Sequence, residues 1–233
     1  SDVCSSDLVV AVSQSQNGSN IYKNFEILKT CDLVFVCSPM NKTLDILDKL
    51  ENILSPNTIV SDVCSLKTFV SKKKRPYKFI PSHPMAGTEH QGFENSMSGL
   101  FKGKKWVITP VFGEDGTLID IIRELGAEPI ITTPEKHDEA AALISHMPML
   151  IAQAIFKTAE YNELALQMAS SGFRDMTRLA MSNVEMANDM ILMNSENIQT
   201  SILKLYKSIG DLTNSNYLPQ IKEIKSKRQT MFL

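Results

Sequence analysis

The chain has 233 residues, which at roughly 150 residues per domain allows one large or two small domains. Its hydrophobic fraction of 43% and charged fraction of 21% are typical of a globular protein and argue against disordered, collagen-like and solenoid classes. A formal net charge of −2 provides no basic field, so neither nucleic acid nor an anionic membrane surface is an expected partner. We expect a small-molecule ligand.

Apolar runs and cysteine usage indicate the compartment. The longest apolar runs, such as Leu33 to Cys37 and Ile119 to Ile122, are far shorter than the ~20 residues that cross a bilayer, and no signal-peptide pattern opens the chain. We therefore predict no membrane span and a cytoplasmic location. The cysteines show neither a C-x-x-C pair nor the density of a disulfide scaffold, which predicts reduced thiols and no metal site. They are Cys4, Cys31, Cys37 and Cys64.

Up to about residue 133, short apolar runs alternate with amphipathic stretches. The apolar runs predict strands at Leu8–Val12, Leu33–Cys37, Thr58–Ser61, Lys78–Ile80, Lys105–Thr109 and Glu128–Thr132. Helical spacing predicts helices at Lys42–Asn52, Leu66–Lys74 and Thr117–Leu125. This alternation is typical of an α/β fold, with a parallel sheet covered on both faces.

After Thr133 the strand signal stops. Apolar residues at i, i+3 and i+4 predict helical segments at Glu135–Met168, Phe173–Met181, Val184–Lys207 and Ser215–Lys227. We therefore divide the chain into an α/β domain, 1–133, and an all-helical domain, 134–233. The helical domain carries a methionine stripe that we interpret as core or subunit-interface packing rather than a ligand pocket. Its members are Met181, Met186, Met190 and Met193.

The segment Phe79–Glu89 reads as a strand that runs into a His-Pro turn at His83. Open α/β sheets bind ligands at the carboxyl ends of their strands. Histidine is also the side chain best able to exchange a proton near neutral pH. Position alone leaves both a catalytic and a structural role open for His83.

Two further segments carry polar groups suited to a ligand. Ser65 and Lys67 follow another strand end, where a hydroxyl and a cation favour an anion, although a helix cap with a solvated lysine is the alternative. Arg174 and Arg178 lie four residues apart and would repel each other on one helix face unless an anion lies nearby. A substrate carboxylate provides one such anion, and an ion pair with Asp175 or Glu185 provides another.

Motifs in these segments occur in a recognisable order. They are D-x-x-S-x-K at Asp62–Lys67, H-P-x-A-G-T-E at His83–Glu89, S-H-x-P at Ser145–Pro148 and G-F-R-D-x-T-R at Gly172–Arg178. With these motifs, the chain from about Leu8 onward resembles the prephenate and arogenate dehydrogenases, the TyrA family. The resemblance implies a Rossmann-type nucleotide-binding domain followed by a helical dimerisation domain, intertwined in a homodimer. It also implies oxidative decarboxylation of arogenate or prephenate in tyrosine biosynthesis, with hydride transfer to a nicotinamide cofactor.

The resemblance further implies roles for individual residues. His83 accepts a hydrogen bond from the ring hydroxyl of the substrate, and Ser65 orients that hydroxyl or His83. Arg178 binds a substrate carboxylate, and Asp175 orders the arginine. The other substrate-side residues implied are Thr88, Glu89, His137 and Ser145. Those implied on the cofactor side are Ser13, Ser15, Ser38, Pro39, Asp62 and Lys67.

The chain departs from the family pattern at the cofactor side. Nothing before Asp32 reads G-x-G-x-x-G, so we expect the first strand, its glycine turn and the first helix, about thirty residues, to be missing. The second-strand end, Val12–Ser15, lacks the acid that binds the ribose hydroxyls of NAD. This favours NADP, with NAD as the alternative.

Two other departures concern the substrate. Met149 stands where many prephenate-using members have a histidine, and Ala187 stands where they have a tryptophan. Both changes favour arogenate. Two competing hypotheses remain: a catalytically impaired helical dimer that binds tyrosine-like ligands, and another Rossmann-type enzyme such as a 3-hydroxyacid dehydrogenase.

Overall fold

The computed structural model describes residues 9–87, 95–113, 115–214 and 217–231. The strands within these ranges are β1 (Ala11–Val12), β2 (Ile21–Tyr22), β3 (Leu33–Val36), β4 (Ile59–Asp62), β5 (Lys78–Phe79), β6 (Ser82–Pro84), β7 (Lys105–Ile108) and β8 (Glu128–Ile131). They form hydrogen-bonded groups in the orders β1-β2, β3-β4-β5 and β6-β7-β8. Every pairing is parallel except that of β6 with β7, which confirms the prediction of a mostly parallel α/β fold.

The strand that carries His83 differs from the prediction. Instead of a strand that ends in a turn, the chain leaves β5, passes Pro81 and begins β6, in which His83 pairs with Val107. The carbonyl of Pro81 accepts a hydrogen bond from the amide of Thr109, which starts this antiparallel pairing. His83 therefore lies in regular structure and not in a loop.

The described ranges contain nine α-helices. They are α1 (Met40–Leu50), α2 (Gly116–Glu124), α3 (Pro134–Ala141), α4 (Met147–Ala159), α5 (Glu163–Gln167), α6 (Ser171–Thr177), α7 (Val184–Met193), α8 (Ser195–Asn214) and α9 (Tyr217–Met231). The predicted helix Leu66–Lys74 is wrong, because only a 3-10 turn forms, at Val70–Lys72. The amides of Lys67 and Thr68 donate to the side chain of Asp138, which connects this segment to α3.

The predicted long helix after Thr133 is interrupted. Thr133 caps α3 by accepting a hydrogen bond from the amide of Lys136. A π-helical turn, Ala142–His146, then joins α3 to α4. Pro148, in the first turn of α4, has no N–H to continue an α-helical pattern across this junction. The chain thus gains a wide turn between His137 and His146.

By length and composition, the stretch 134–159 is the one helical segment in the described ranges able to cross a membrane, and only 28% of its most apolar window is buried. It also carries His137, Asp138 and His146, which are buried and hydrogen-bonded within the protein. Buried polar residues of this kind are typical of a helix that packs inside a globular protein.

Apolar packing joins the two parts of the chain. One buried cluster includes Met40 and Leu66 from the α/β part, together with Met149, Ala187 and Met190 from the helical part. Two further clusters pack between the helices and strands of the α/β part. The shared cluster holds α4 and α7 against the turn that follows β4 and so fixes the helical part relative to the α/β part.

Candidate active site

A chain of hydrogen bonds connects His83 to the helical part of the protein. Nδ1 of His83 lies 2.9 Å from Nε2 of His137. Nδ1 of His137 lies 2.7 Å from Oδ1 of Asp138, the next residue in α3. We call these three side chains the His83 relay. The relay brings together two histidines that the sequence predicts to be functional.

The relay determines which nitrogen of each neutral imidazole carries the proton. The carboxylate of Asp138 only accepts hydrogen bonds, so Nδ1 of His137 donates and its Nε2 accepts. Nδ1 of His83 must then donate to His137, and Nε2 of His83 carries no proton. That atom is free to accept a proton from a ligand.

Asp138 is fixed in its ionised form. Its Oδ1 accepts from the amide of Lys67 at 2.8 Å, and its Oδ2 accepts from the amide of Thr68 at 2.9 Å. Burial by itself raises the pKa of Asp138, but the hydrogen bonds from His137, Thr68 and Lys67 outweigh burial and lower it. Asp138 is a functional candidate that the sequence analysis missed, although it directly follows His137.

His83 is held in its neutral form. Burial lowers its pKa well below the ordinary value of 6.5, and the neighbouring His137, Lys67 and His146 lower it further, whereas Asp138 acts in the opposite direction. At neutral pH the imidazole is therefore a base and not an acid.

His146 and Asn194 form a second hydrogen-bonded group, which is connected to the relay through Asp138. Nδ2 of Asn194 donates to the backbone carbonyl of Asp138 at 2.9 Å and lies 3.1 Å from Nδ1 of His146. Asn194 occupies the junction of α7 and α8, and its Oδ1 accepts from Asn197. Because Nδ1 of His146 accepts from an amide, the neutral ring carries its proton on Nε2.

His146 makes the stability of the protein depend on pH. Burial lowers the pKa of His146 to about 4, below the ordinary 6.5, so the unfolded chain binds a proton that the folded chain rejects. This contribution is fully present above pH 6.5 and is lost as the pH falls towards 4. We expect the free energy of unfolding in urea to fall by about 2 kcal/mol from this group between pH 7 and pH 5.

The variant His146→Gln isolates that contribution, because glutamine can still accept from Asn194 but does not titrate in this range. Between pH 7 and pH 5, the free energy of unfolding of the wild type should fall by about 2 kcal/mol more than that of His146→Gln. Parallel pH dependences of the two proteins would contradict the assignment.

The predicted serines lie at the margins of the relay. Ser65 is half-buried in the turn after β4, and Ser145 is half-buried in the π-helical turn. In the described part of the chain, neither hydroxyl has a hydrogen-bond partner, so both are available to a ligand. Thr88 and Glu89 lie outside the described residues.

Asp62 and Lys67 are arranged differently from the prediction. Both side chains are completely buried and form an ion pair, and Nζ of Lys67 also donates to the carbonyl of Ser82 at 2.6 Å. Direct contact with a cofactor requires exposed surface, which these side chains lack. Their burial favours an internal role, next to His83, over the cofactor contact that the sequence predicts.

The arginine motif is exposed. Arg178 begins a 3-10 turn, Arg178–Met181, that packs against α4, and its side chain forms no ion pair within the described ranges. Asp175 lies 3.7 Å from Arg174 instead, both on the surface. The expected ordering of Arg178 by Asp175 is therefore not seen, and Arg178 keeps an unpaired charge.

Residues suited to a dinucleotide lie at the carboxyl ends of β1 and β3. Ser13 and Ser15 follow β1 with their hydroxyls 3.5 Å apart, and Nζ of Lys23 donates to the carbonyls of Gln14 and Gln16 in the same loop. This loop, the Ser13 loop, thus offers hydroxyls and a cation. These groups can donate hydrogen bonds to an anionic ligand.

The edge at β3 offers a second contact region. Ser38 and Pro39 connect β3 to α1, and the Ser38 hydroxyl lies 2.9 Å from that of Thr43. No side chain caps the first turn of α1, although the amide of Lys42 already donates to the carbonyl of Pro39 at 2.9 Å. The described residues contain no glycine-rich turn between these two regions.

Comparison with known proteins matches this arrangement. The model of the prephenate dehydrogenase nucleotide-binding domain matches residues 10–132, and that of the prephenate dehydrogenase dimerization domain matches residues 133–218. The chain belongs to the prephenate dehydrogenase family. Members of this family are nicotinamide-dependent oxidoreductases, and the family agrees with the resemblance found in the sequence.

Individual relatives support the assignment. The chain is 29% identical over 185 residues to prephenate dehydrogenase of Bacillus subtilis. The alignment covers 73% of this chain and 50% of that protein. It thus spans about half the length of this curated relative. Synechocystis arogenate dehydrogenase is 30% identical, with a TM-score of 0.71 and coverage of 90% and 80% of the two chains.

A third relative was solved with ligands. Prephenate dehydrogenase from A. aeolicus, in complex with hydroxyphenyl propionate and NAD+, is 29% identical to this chain, with a TM-score of 0.80. The alignment covers 91% of this chain and 81% of that one. The fold of the family, a nucleotide-binding domain followed by a helical one, is therefore the fold of this chain.

Proposed function

We propose that this protein catalyses the oxidative decarboxylation of arogenate or prephenate, with a nicotinamide cofactor as hydride acceptor, in tyrosine biosynthesis. The observation that carries the proposal is the unprotonated Nε2 of His83, which the relay leaves free to act on a ring hydroxyl. Residues 1–133 bind the dinucleotide in this proposal, and residues 134–233 contribute to substrate binding and dimerisation.

The reaction needs a base that gives its proton back. As the ring carbon that bears the hydroxyl loses a hydride, Nε2 of His83 takes the hydroxyl proton. The bond to the ring carboxylate breaks, carbon dioxide leaves, and its electron pair makes the ring aromatic. His83 then returns the proton to the ring oxygen, so no net proton is released. A bound nicotinamide cofactor supplies the hydride acceptor.

The other residues of the chain hold the substrate. We assign the free hydroxyl of Ser65 to the ring hydroxyl or to His83, and Ser145 to the substrate side of the helical part. The unpaired guanidinium of Arg178 binds a substrate carboxylate, for which its planar pair of donors is suited. Thr88 and Glu89 keep the role at the substrate mouth that their motif implies.

NADP is the proposed cofactor, with NAD as the alternative. The Ser13 loop has no acid to bind ribose hydroxyls, and its serine hydroxyls can donate to a 2′-phosphate. Lys23, which the sequence analysis did not identify, adds a cation held by this same loop. Ser38 and Pro39 remain proposed contacts at the neighbouring strand end.

Arogenate is the proposed substrate ahead of prephenate. The proposal rests on Met149 and Ala187, which are both buried in the apolar cluster with Met190. Their effect on substrate choice is accordingly one of packing around α4 and α7 rather than of a direct polar contact.

A homodimer is the proposed assembly. The helical part leaves many large apolar side chains exposed, and such surface usually marks an interface. Examples are Met176, Met181, Val184, Leu192, Leu203 and Tyr206. Sedimentation velocity should give the mass of two chains.

A cytoplasmic location is proposed as well, because Cys31, Cys37 and Cys64 are free thiols.

The test is an absorbance assay of reduced nicotinamide with each pair of substrate and cofactor. We expect turnover with arogenate and NADP to exceed that with the other pairs. Lys23→Ala should raise KM for NADP about tenfold, the worth of one phosphate contact, and leave KM for NAD unchanged. Lys29→Ala, at a nearby exposed lysine paired with Glu26, serves as the control. Absence of turnover with every pair, from a folded protein, would favour a ligand-binding remnant of the family.

A further inference from the structure

The side chain and the backbone of Lys67 contact different parts of the protein. Its side chain is completely buried, pairs with Asp62 and donates to the carbonyl of Ser82. Its backbone amide donates to Oδ1 of Asp138. A buried ammonium is costly unless it is paired, and an apolar side chain of similar volume would fill the same space. The presence of a charged lysine at this buried position therefore needs an explanation from the groups around it.

Two of the residues that Lys67 contacts are adjacent in sequence to the two histidines of the relay. Ser82 directly precedes His83 in β6, and Asp138 directly follows His137 in α3. Lys67 thus binds the residue beside each imidazole of the relay, one through its side chain and one through its backbone. The α/β part and the helical part supply one imidazole each, and Lys67 lies between them.

We propose that Lys67 is a positioning residue that holds β6 and α3 at the separation required for the hydrogen bond between His83 and His137. This role rests on the proposed function, since it serves the base that the reaction needs. It differs from the cofactor contact expected from the sequence, because the ammonium acts on a backbone carbonyl inside the protein.

Three further contacts keep the Lys67 ammonium in place. Oδ2 of Asp62 also accepts from the amide of Cys64 at 3.0 Å, which anchors the carboxylate to the turn after β4. Oδ1 of Asp62 is buried and has no partner in the described ranges, so the ion pair is the main compensation for this charge. The Ser82 hydroxyl donates to the carbonyl of Asp62 at 3.0 Å and accepts from the indole of Trp106. β6 is thereby held from several sides, and Lys67 is the member of this group whose backbone amide also binds α3, at Asp138.

Charge also matters at His83. The groups that face it are His137, His146, Lys67 and Asp138, of which the first three favour the neutral imidazole and Asp138 the charged one. Loss of the Lys67 cation, with Asp62 still ionised, would raise the pKa of His83. The acid limb of the pH profile of kcat/KM would then move to higher pH.

The test compares Lys67→Met with the double variant Asp62→Asn/Lys67→Met, which leaves no unpaired buried charge and guards against a failure to fold. Lys72→Met, at an exposed lysine in the following 3-10 turn, is the control. Imidazole resonances of ¹⁵N-labelled histidine report the hydrogen bond between His83 and His137 directly. Steady-state kinetics over a range of pH report its effect.

We expect both Lys67 variants to lose the downfield proton resonance of His83 Nδ1, while Lys72→Met keeps it. We also expect kcat to fall 10- to 100-fold with KM changed less than threefold, and the single variant to show the shifted acid limb. An unchanged imidazole spectrum in a folded Lys67 variant would overturn the proposal. A wild-type protein without turnover would refute the proposed function alone, because the spectra would still decide the role of Lys67.

Discussion

His83→Asn should lower kcat by about 10³-fold, within the range usual for loss of a general base. Asparagine places an amide donor near the position of Nδ1, so the hydrogen bond to His137 can persist. It provides no basic atom at the position of Nε2, so the hydroxyl proton loses the acceptor proposed for it. The measurement is the steady-state rate of formation of reduced nicotinamide.

Binding should survive this substitution. KM for the substrate and the affinity for NADP, measured by titration calorimetry, should change less than about threefold, since the substitution removes a function of the transition state. Turnover of His83→Asn within threefold of the wild type would exclude His83 as the base.

Asp138→Asn should have the second largest effect, a loss of about 10²- to 10³-fold in kcat by analogy with the carboxylate of a catalytic triad. An asparagine amide can donate to Nδ1 of His137, which would move the proton of His137 to its Nε2. That proton would face Nδ1 of His83 and place the remaining proton of His83 on Nε2. The base would then be blocked although the relay remains connected.

The control for this variant is Glu139→Gln. Glu139 is the next residue of α3, is exposed, and lies 3.4 Å from Lys204 on the surface. The substitution removes the same charge from the same helix without touching the relay, so kcat should stay within twofold. A large loss in Glu139→Gln as well would indicate that net charge, and not the tautomer of His137, accounts for the result.

The parts of the fold that depend on local pattern are predicted well. β3, β4, β7 and α1 come within a few residues of the predicted bounds, because apolar periodicity follows directly from burial on one face. Where a helix is predicted at Leu66–Lys74, the amides of Lys67 and Thr68 bind Asp138, about seventy residues away along the chain. Contacts of that range leave no periodic signal in the sequence.

The candidate site likewise contains residues that the sequence identifies and residues that only the structure identifies. The motifs contain His83 and Ser65, and the resemblance to the family implies a role for His137. Asn194 is in no motif and is found only through its contacts with Asp138 and His146. The motif also places Asp62 and Lys67 near the site but does not reveal that they are buried. The burial of these two side chains depends on β6. The sequence does not predict this strand, because it has three residues and the prolines Pro81 and Pro84 hide its pattern.

The π-helical turn between α3 and α4 restricts the length of this segment in evolution. A π-helical turn holds one residue more than an α-helical turn, so removal of one residue would close the wide turn and change the directions of the side chains within it. His137 and Asp138 would keep their places, but His146 and Ser145 would leave theirs. Insertions and deletions should therefore be rare between these residues among relatives that retain activity, whereas the turn between α4 and α5, which is exposed, should vary freely in length.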